Sequence, residues 1–272
     1  MGNFALNHMT AANASFEELL VIAQQCSCSG VELRNDLSSP LFSGLEVEVA
    51  AECIAASNLK VFALAEVKSF NHLTAQTVAD AENLAAIGKA CGAEGIALIP
   101  ANDGSRLAEA TRREDLHRAL SELIPLLENY DLYGFVEPLG FSSSSLRSKR
   151  EAVEVIEGLN ASDRVKLVHD TFHHFLAGET ECFAQHTGMV HVSGVADSQV
   201  APAKMQDSHR GLVAQDDRLQ NIEQLSMLAE QGYHGPVSME AFAPEVHNFL
   251  NPAEYLRDSF QFISSGLAAK VA

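Results

Sequence analysis

The feature that most constrains this chain is an alternation. Short runs of β-branched and apolar residues give way repeatedly to longer segments whose apolar residues recur at spacings of three and four. That is the pattern of βα units laid on a parallel sheet. The strand candidates are FALNH (4–8), VELR (31–34), VFALAE (61–66), GIALIP (95–100), GFVEP (134–138), VKLVHD (165–170), MVHVS (189–193) and PVSME (236–240). Between them SFEELLVIAQQC, EVEVAAECIAAS (46–57), TAQTVADAENLAAIGKACG and LHRALSELIPLLENY carry the apolar stripe that packs a helix onto a sheet. Eight such units predict an α/β protein, a closed (β/α)8 TIM barrel. No Pro/Gly linker or composition break divides residues 1–272, so a single domain is expected.

In such a barrel every strand delivers its last residues to one mouth, so charged residues at strand ends converge whatever their separation in sequence. Four stand out: Glu137 in FVEP, Asp170 in LVHD, His191 in VHVS and Glu240 in SMEAF. Taken singly, each reads equally well as an ion-paired or hydrogen-bonded residue of the rim. Together, three carboxylates and an imidazole repel one another unless a cation sits among them, and the oxygen-rich set suits one divalent ion, Mn, Mg, Co or Zn.

Other polar residues fall near strand ends. Arg34 is a candidate for lining the pocket, as are Asn7 and His8, with satisfied rim polarity as the alternative. Glu66 and Lys68 read as an ion pair with each other. His169 and His174 alternate with Asp170 and His173, so strand geometry points them elsewhere. The serines at 142–145 read as a solvated loop. The longest irregular stretch, from Gly194 to about Arg218, falls after strand seven and reads as a lid or substrate loop.

Lys and Arg number 18 against 36 Asp and Glu, a formal charge of −18. Such a field repels phosphate backbones and anionic lipid, so neither nucleic acid nor a membrane is expected as partner, and a small neutral substrate is. The start MGNFALNHMT has no basic segment, and no apolar run approaches the roughly 18 residues that span a bilayer, which predicts a cytoplasmic protein. Five cysteines, an odd number set mostly among alanines and leucines, read as reduced thiols, including the Cys26 and Cys28 pair.

VELR, SFN (69–71), FVEPLGF, HDTFHHF, the HV of strand seven, DSHRG (207–211) and SMEAFAPE (238–245) together resemble the xylose-isomerase-like sugar isomerases and epimerases. The likeness is strongest to the 2-keto-myo-inositol isomerases of inositol catabolism. It implies that Glu137, Asp170, His191 and Glu240 ligate the metal, with Glu137 and Glu240 also moving protons. It also implies that His173 and Arg210 contact substrate oxygens, and that homo-oligomers form. The implied reaction is isomerisation of a small neutral polyhydroxy ketone, 2-keto-myo-inositol to 1-keto-D-chiro-inositol. The same scaffold supports ketose 3-epimerases, hydroxypyruvate isomerases, inosose dehydratases and C-glycoside deglycosidases. Outside the isomerases stand an AP-endonuclease-like hydrolase, which the acidic charge disfavours, and a metal-dead binding subunit. In one departure, Ser193 and Gly194 stand where many relatives carry an acidic residue after the strand-seven His, which leaves open what orients His191.

Overall fold

A computed structural model describes residues 3–105 and 108–271. Eight strands run β1 Phe4–Asn7, β2 Gly30–Arg34, β3 Lys60–Lys68, β4 Ala93–Ile99, β5 Tyr133–Val136, β6 Val165–Asp170, β7 Thr187–Val192 and β8 Val237–Met239. Each pairs in parallel with the next, and β8 closes the barrel on β1. The helices α1 Phe16–Gln25, α2 Val47–Ser57, α3 Ala75–Cys91, α4 Glu109–Tyr130, α5 Lys149–Gly158, α6 Thr171–Ala177 and α7 Asn221–Glu230 lie between strands. A short α8 Pro244–His247 and the long α9 Pro252–Val271 follow β8. Local chemistry sets the helix ends: Ser15 and Glu18 form a reciprocal cap at the start of α1, and Gly92, at φ +74°, stops α3 in the left-handed region. Among the described residues no helix is long and apolar enough to cross a membrane.

The predicted strands stand, with shorter ends at β5 and β8. Glu137 and Glu240 each lie one residue past their strand, still tethered: Glu137 N donates to Leu98 O at 3.2 Å and Glu240 N to Val192 O at 2.9 Å.

Two apolar regions result from strand alternation. Outward residues such as Leu6, Val31, Leu33, Val136, Leu167, Val190 and Met239 join the helix faces in one large core. Inside the barrel, Ala5, Phe62, Ala63, Phe135, Val168 and Met189 form a smaller plug. Because side chains on a strand repeat every second residue, the next inward positions after Phe135, Val168 and Met189 are Glu137, Asp170 and His191. On β8 the same step leads from Ser238 to Glu240. The polar site is thus the layer resting directly on the barrel's apolar filling.

Candidate metal centre

One ligand atom from each of Glu137, Asp170, His191 and Glu240 lies within 4.8 Å of the others, and all four residues are buried. His191 Nδ1 faces Glu240 Oε2 at 3.2 Å, Glu137 Oε2 at 3.6 Å and Asp170 Oδ2 at 3.9 Å. It has no hydrogen-bond partner among the described residues. A buried ring nitrogen without a partner, aimed at three carboxylate oxygens, is what a nitrogen ligand presents to a cation.

His191 is oriented by a residue that sequence reasoning missed. Its Nε2 meets Glu32 Oε2 at 3.0 Å, across the barrel from β2, and Glu32 is fully buried. A carboxylate behind a metal-binding imidazole fixes which nitrogen carries the proton and strengthens the other as a ligand. Glu32 thus supplies what Ser193 and Gly194 do not. The signal was present: Glu32 is a lone carboxylate in an apolar run, as Glu137 is. Glu32→Gln is expected to weaken metal binding about 10- to 100-fold without unfolding the barrel; isothermal titration with Mn checks it, and unchanged affinity would remove Glu32 from the centre.

Arg34 and Arg210 hold the carboxylates from the sides. Arg34 Nη1 donates to Glu240 Oε1 at 2.7 Å, and Arg210 Nη2 donates to Asp170 Oδ2 at 2.5 Å and to Glu240 Oε2 at 2.9 Å. Asn7 Nδ2 adds a bond to Glu240 Oε1 at 3.2 Å, whereas His8 turns away to Ala14 O. Phe242, a second missed residue, presents its ring to both guanidiniums, with its centroid 4.5 Å from Arg210 Cζ and 5.7 Å from Arg34 Cζ. Arg210, which the resemblance implies contacts substrate oxygens, is nearly fully buried and grips two of the four carboxylates.

The two guanidiniums are shared among more carboxylates than they can neutralise, Glu240 and Asp170 in the centre and Asp36, Glu66 and Asp207 at its edge, and the excess negative charge favours a bound cation. The same excess shows in proton affinities. Burial disfavours a charged His191, yet Glu240, Glu32 and Glu137 outweigh it and hold the imidazole well above its ordinary range. Burial acts on Glu240 too, but His191 and Arg210 overcome it and keep that carboxyl low, while burial pushes Glu137 up.

Local folding explains the placement of the rest. Asp170 ends β6 and caps α6, its Oδ1 accepting from His173 N at 2.9 Å, which sets His173 over the mouth with its Nε2 3.8 Å from Glu137 Oε1. His173 packs edge-on against Phe141 and Phe172, and its Nδ1 is buried without a partner among the described residues. The stretch after β7 is pinned to the mouth: Gly194 and Gly211 exchange backbone hydrogen bonds at 2.8 and 2.7 Å, immediately after Arg210 has entered the centre. A Cβ on Gly194 would lie 2.4 Å from Leu212 O, so only glycine permits that approach.

A cavity of about 360 Å³ opens above the centre, bounded by Arg34, Glu66, Glu137, His173, Arg210 and Glu240, with Lys68 also on its wall. Glu66 and Lys68 do not form the expected pair: among the described residues the ion partner of Glu66 is Arg34, at 3.6 Å, because Arg34 lies beside Ala65 in the β2–β3 register. Burial, ahead of the Arg34 charge, pushes Glu66 up to about 7. The serine run also differs from expectation, since Ser144 and Ser145 are buried and Ser145 bonds Asn71 and Ala101. His169 and His174 do point away from the mouth, as expected.

The family model described as the xylose isomerase-like TIM barrel matches residues 20–265. The chain belongs to that family. Among solved structures, a xylose isomerase domain containing protein from Salmonella typhimurium is 28% identical, with 98% of this chain and 97% of that one covered and a TM-score of 0.88. The IolI protein, solved with a zinc atom, is 18% identical over 98% of each chain, with a TM-score of 0.85. An L-ribulose 3-epimerase is 15% identical over 99% of this chain and 95% of that one, with a TM-score of 0.75. At the sequence level none of the curated proteins matches. The family members share the barrel, and the neighbours include sugar-processing enzymes.

Proposed function

We propose that this protein is a divalent-metal-dependent isomerase of a small neutral polyhydroxy ketone, with 2-keto-myo-inositol as its leading substrate and 1-keto-D-chiro-inositol as product. The observation that carries the reading is the unpartnered, buried His191 Nδ1 facing Glu137, Asp170 and Glu240 at the floor of a small polar cavity. The zinc atom in IolI and the sugar epimerase among the neighbours support it.

Glu137, Asp170, His191 and Glu240 would hold the ion. When bound, a divalent ion polarises a carbonyl and its neighbouring hydroxyl, and so acidifies the carbon-bound hydrogen between them. The protein supplies the rest. One of Glu137 and Glu240 takes that proton as a general base, and the proton returns to the adjacent carbon from the same or the facing carboxyl, while the hydroxyl proton passes to the former carbonyl oxygen so that the two groups exchange places. Arg210 and His173 stabilise the negative charge that develops on the substrate oxygens; the unpartnered Nδ1 leaves His173 with unspent hydrogen-bonding capacity. Phe141, Phe172 and Phe242 restrict water around these groups. Two arginines already committed to carboxylates leave little positive charge to spare for a phosphorylated substrate, which favours a neutral one.

The test is a panel. Metal-stripped protein reloaded with Mn is incubated with ketoinositols, free ketoses and hydroxypyruvate in deuterated water, and products and deuterium uptake are read by NMR. Conversion of 2-keto-myo-inositol ahead of the other compounds is the expected result. Faster turnover of a free ketose would assign the protein to 3-epimerisation, and no turnover of any compound would sink the isomerase reading.

A further inference from the structure

Four buried polar residues that this mechanism leaves unused collect behind β6, where α5 and α6 cover it. Lys149, the first residue of α5, His169 on β6, His174 on α6 and Cys182, in the segment before β7, are all buried there. One ligand atom each from His169, His174 and Cys182 lies within 4.8 Å of the other two.

The protonation of His169 is fixed by its neighbours. Gln224 Nε2 donates to Thr171 O at 3.0 Å and to Leu219 O at 2.7 Å, so its Oε1 is the atom that faces His169 Nε2, at 2.9 Å. Nε2 therefore carries the hydrogen and Nδ1 presents a lone pair. A ring N–H held by a carbonyl oxygen, with the opposite nitrogen free to donate, is the arrangement that orients metal-binding histidines. The lone pair of His174 Nδ1 converges on the same spot. Lys149 Nζ sits there, 3.1 Å from His169 Nδ1 and 2.5 Å from His174 Nδ1, with Glu179 Oε2 3.7 Å away. The pocket is thus already built around a cation, supplied from within the chain.

We propose that His169, His174 and Cys182 form a second metal site, for a soft divalent ion such as zinc, with Lys149 as the internal cation that the ion replaces. Two imidazole nitrogens and a thiolate select zinc over magnesium or calcium, in contrast to the oxygen-rich mouth. On binding, Cys182 releases its thiol proton to solvent and the Lys149 ammonium turns to Glu179. The ion ties β6, α6 and the segment before β7 together, and so braces the elbow that carries Asp170 and His173.

Cobalt(II) titration of the metal-stripped, reduced full chain tests this without reference to catalysis, so failure of the isomerase reading leaves it untouched. The mouth contains no thiolate and gives no thiolate-to-cobalt charge-transfer absorption; the second site does. The expected result is two equivalents bound, with the near-ultraviolet charge-transfer band accompanying one of them. Cys182→Ser should remove the band and one equivalent while keeping the other. Lys149→Met, which deletes the competing ammonium, should saturate the band at lower cobalt than wild type. Absence of the band in both wild type and Lys149→Met at saturating cobalt overturns the proposal, even where Cys182→Ser fails to fold. Persistence of the band in folded Cys182→Ser overturns it equally.

Discussion

Replacing Glu137 or Glu240 with Gln is expected to abolish exchange of the substrate's carbon-bound hydrogen at whichever residue is the abstracting base, while the barrel stays folded. A Gln keeps an oxygen that can coordinate an ion, but it lacks the carboxylate that accepts a proton, and general acid-base catalysis contributes about 10²- to 10⁴-fold. The two variants should differ in metal affinity. Glu240 accepts from Arg34 at 2.7 Å, Arg210 at 2.9 Å and Asn7 at 3.2 Å, so a Gln there turns an amide NH2 toward groups that only donate. The ion partners of Glu137 are His173 and His191, which tolerate an amide better. Glu240→Gln therefore needs more Mn for saturation. Deuterium uptake at saturating Mn, followed by NMR, reads the chemistry apart from the binding. Wild-type exchange rates in both saturated variants would rule out the two-glutamate mechanism.

Loss of a ligand should act on stability as strongly as loss of a base acts on rate. In His191→Ala the nitrogen donor disappears and Glu32 loses its partner, leaving buried carboxylates with less to offset them. Removing one member of a buried ion pair costs about 3–5 kcal/mol. Asp170→Ala adds loss of the α6 cap, worth about 1 kcal/mol, and frees one hand of Arg210. Wild type should gain about 2.7 kcal/mol of stability in Mn at a hundred times its dissociation constant. Both variants should show little of that gain. Metal content by elemental analysis and melting with and without Mn are the measurements. Unchanged content and unchanged melting shifts in both would move the metal elsewhere.

The barrel was legible because its evidence is local: a period of two in the strands, three to four in the helices, repeated eight times. The four convergent residues were legible for a related reason, since strand ends share one mouth whatever the loops do. What needed the structure was everything set by neighbours across the sheet or barrel. Glu32 lies 159 positions from His191, and no local pattern in VELR says which residue it faces. Glu66 and Lys68 look paired along one strand, but the Arg34 of the adjacent strand is the stronger neighbour. Ser144 and Ser145 look solvent-facing until the loop folds back onto Asn71 and Ala101. Arg210 sits in a polar stretch, and only the Gly194–Gly211 pairing shows why so exposed-looking a segment delivers a buried guanidinium.

That pairing also divides the segment after β7 into two parts with different freedom to change. Gly194 and Gly211 close the chain on itself, so the residues from Val195 to Arg210 form a loop whose ends are already joined. Lengthening or exchanging a loop with joined ends costs little, since closure entropy grows only with the logarithm of its length. Met205, Asp207 and Ser208 from this loop line the wide cleft beside the centre, while Arg210, its last residue, is held against the joint by Phe242 N and Ala243 N donating to its carbonyl. Natural variation can therefore rewrite the outer walls of the pocket as an interchangeable cassette, leaving the guanidinium that grips Asp170 and Glu240 where it is.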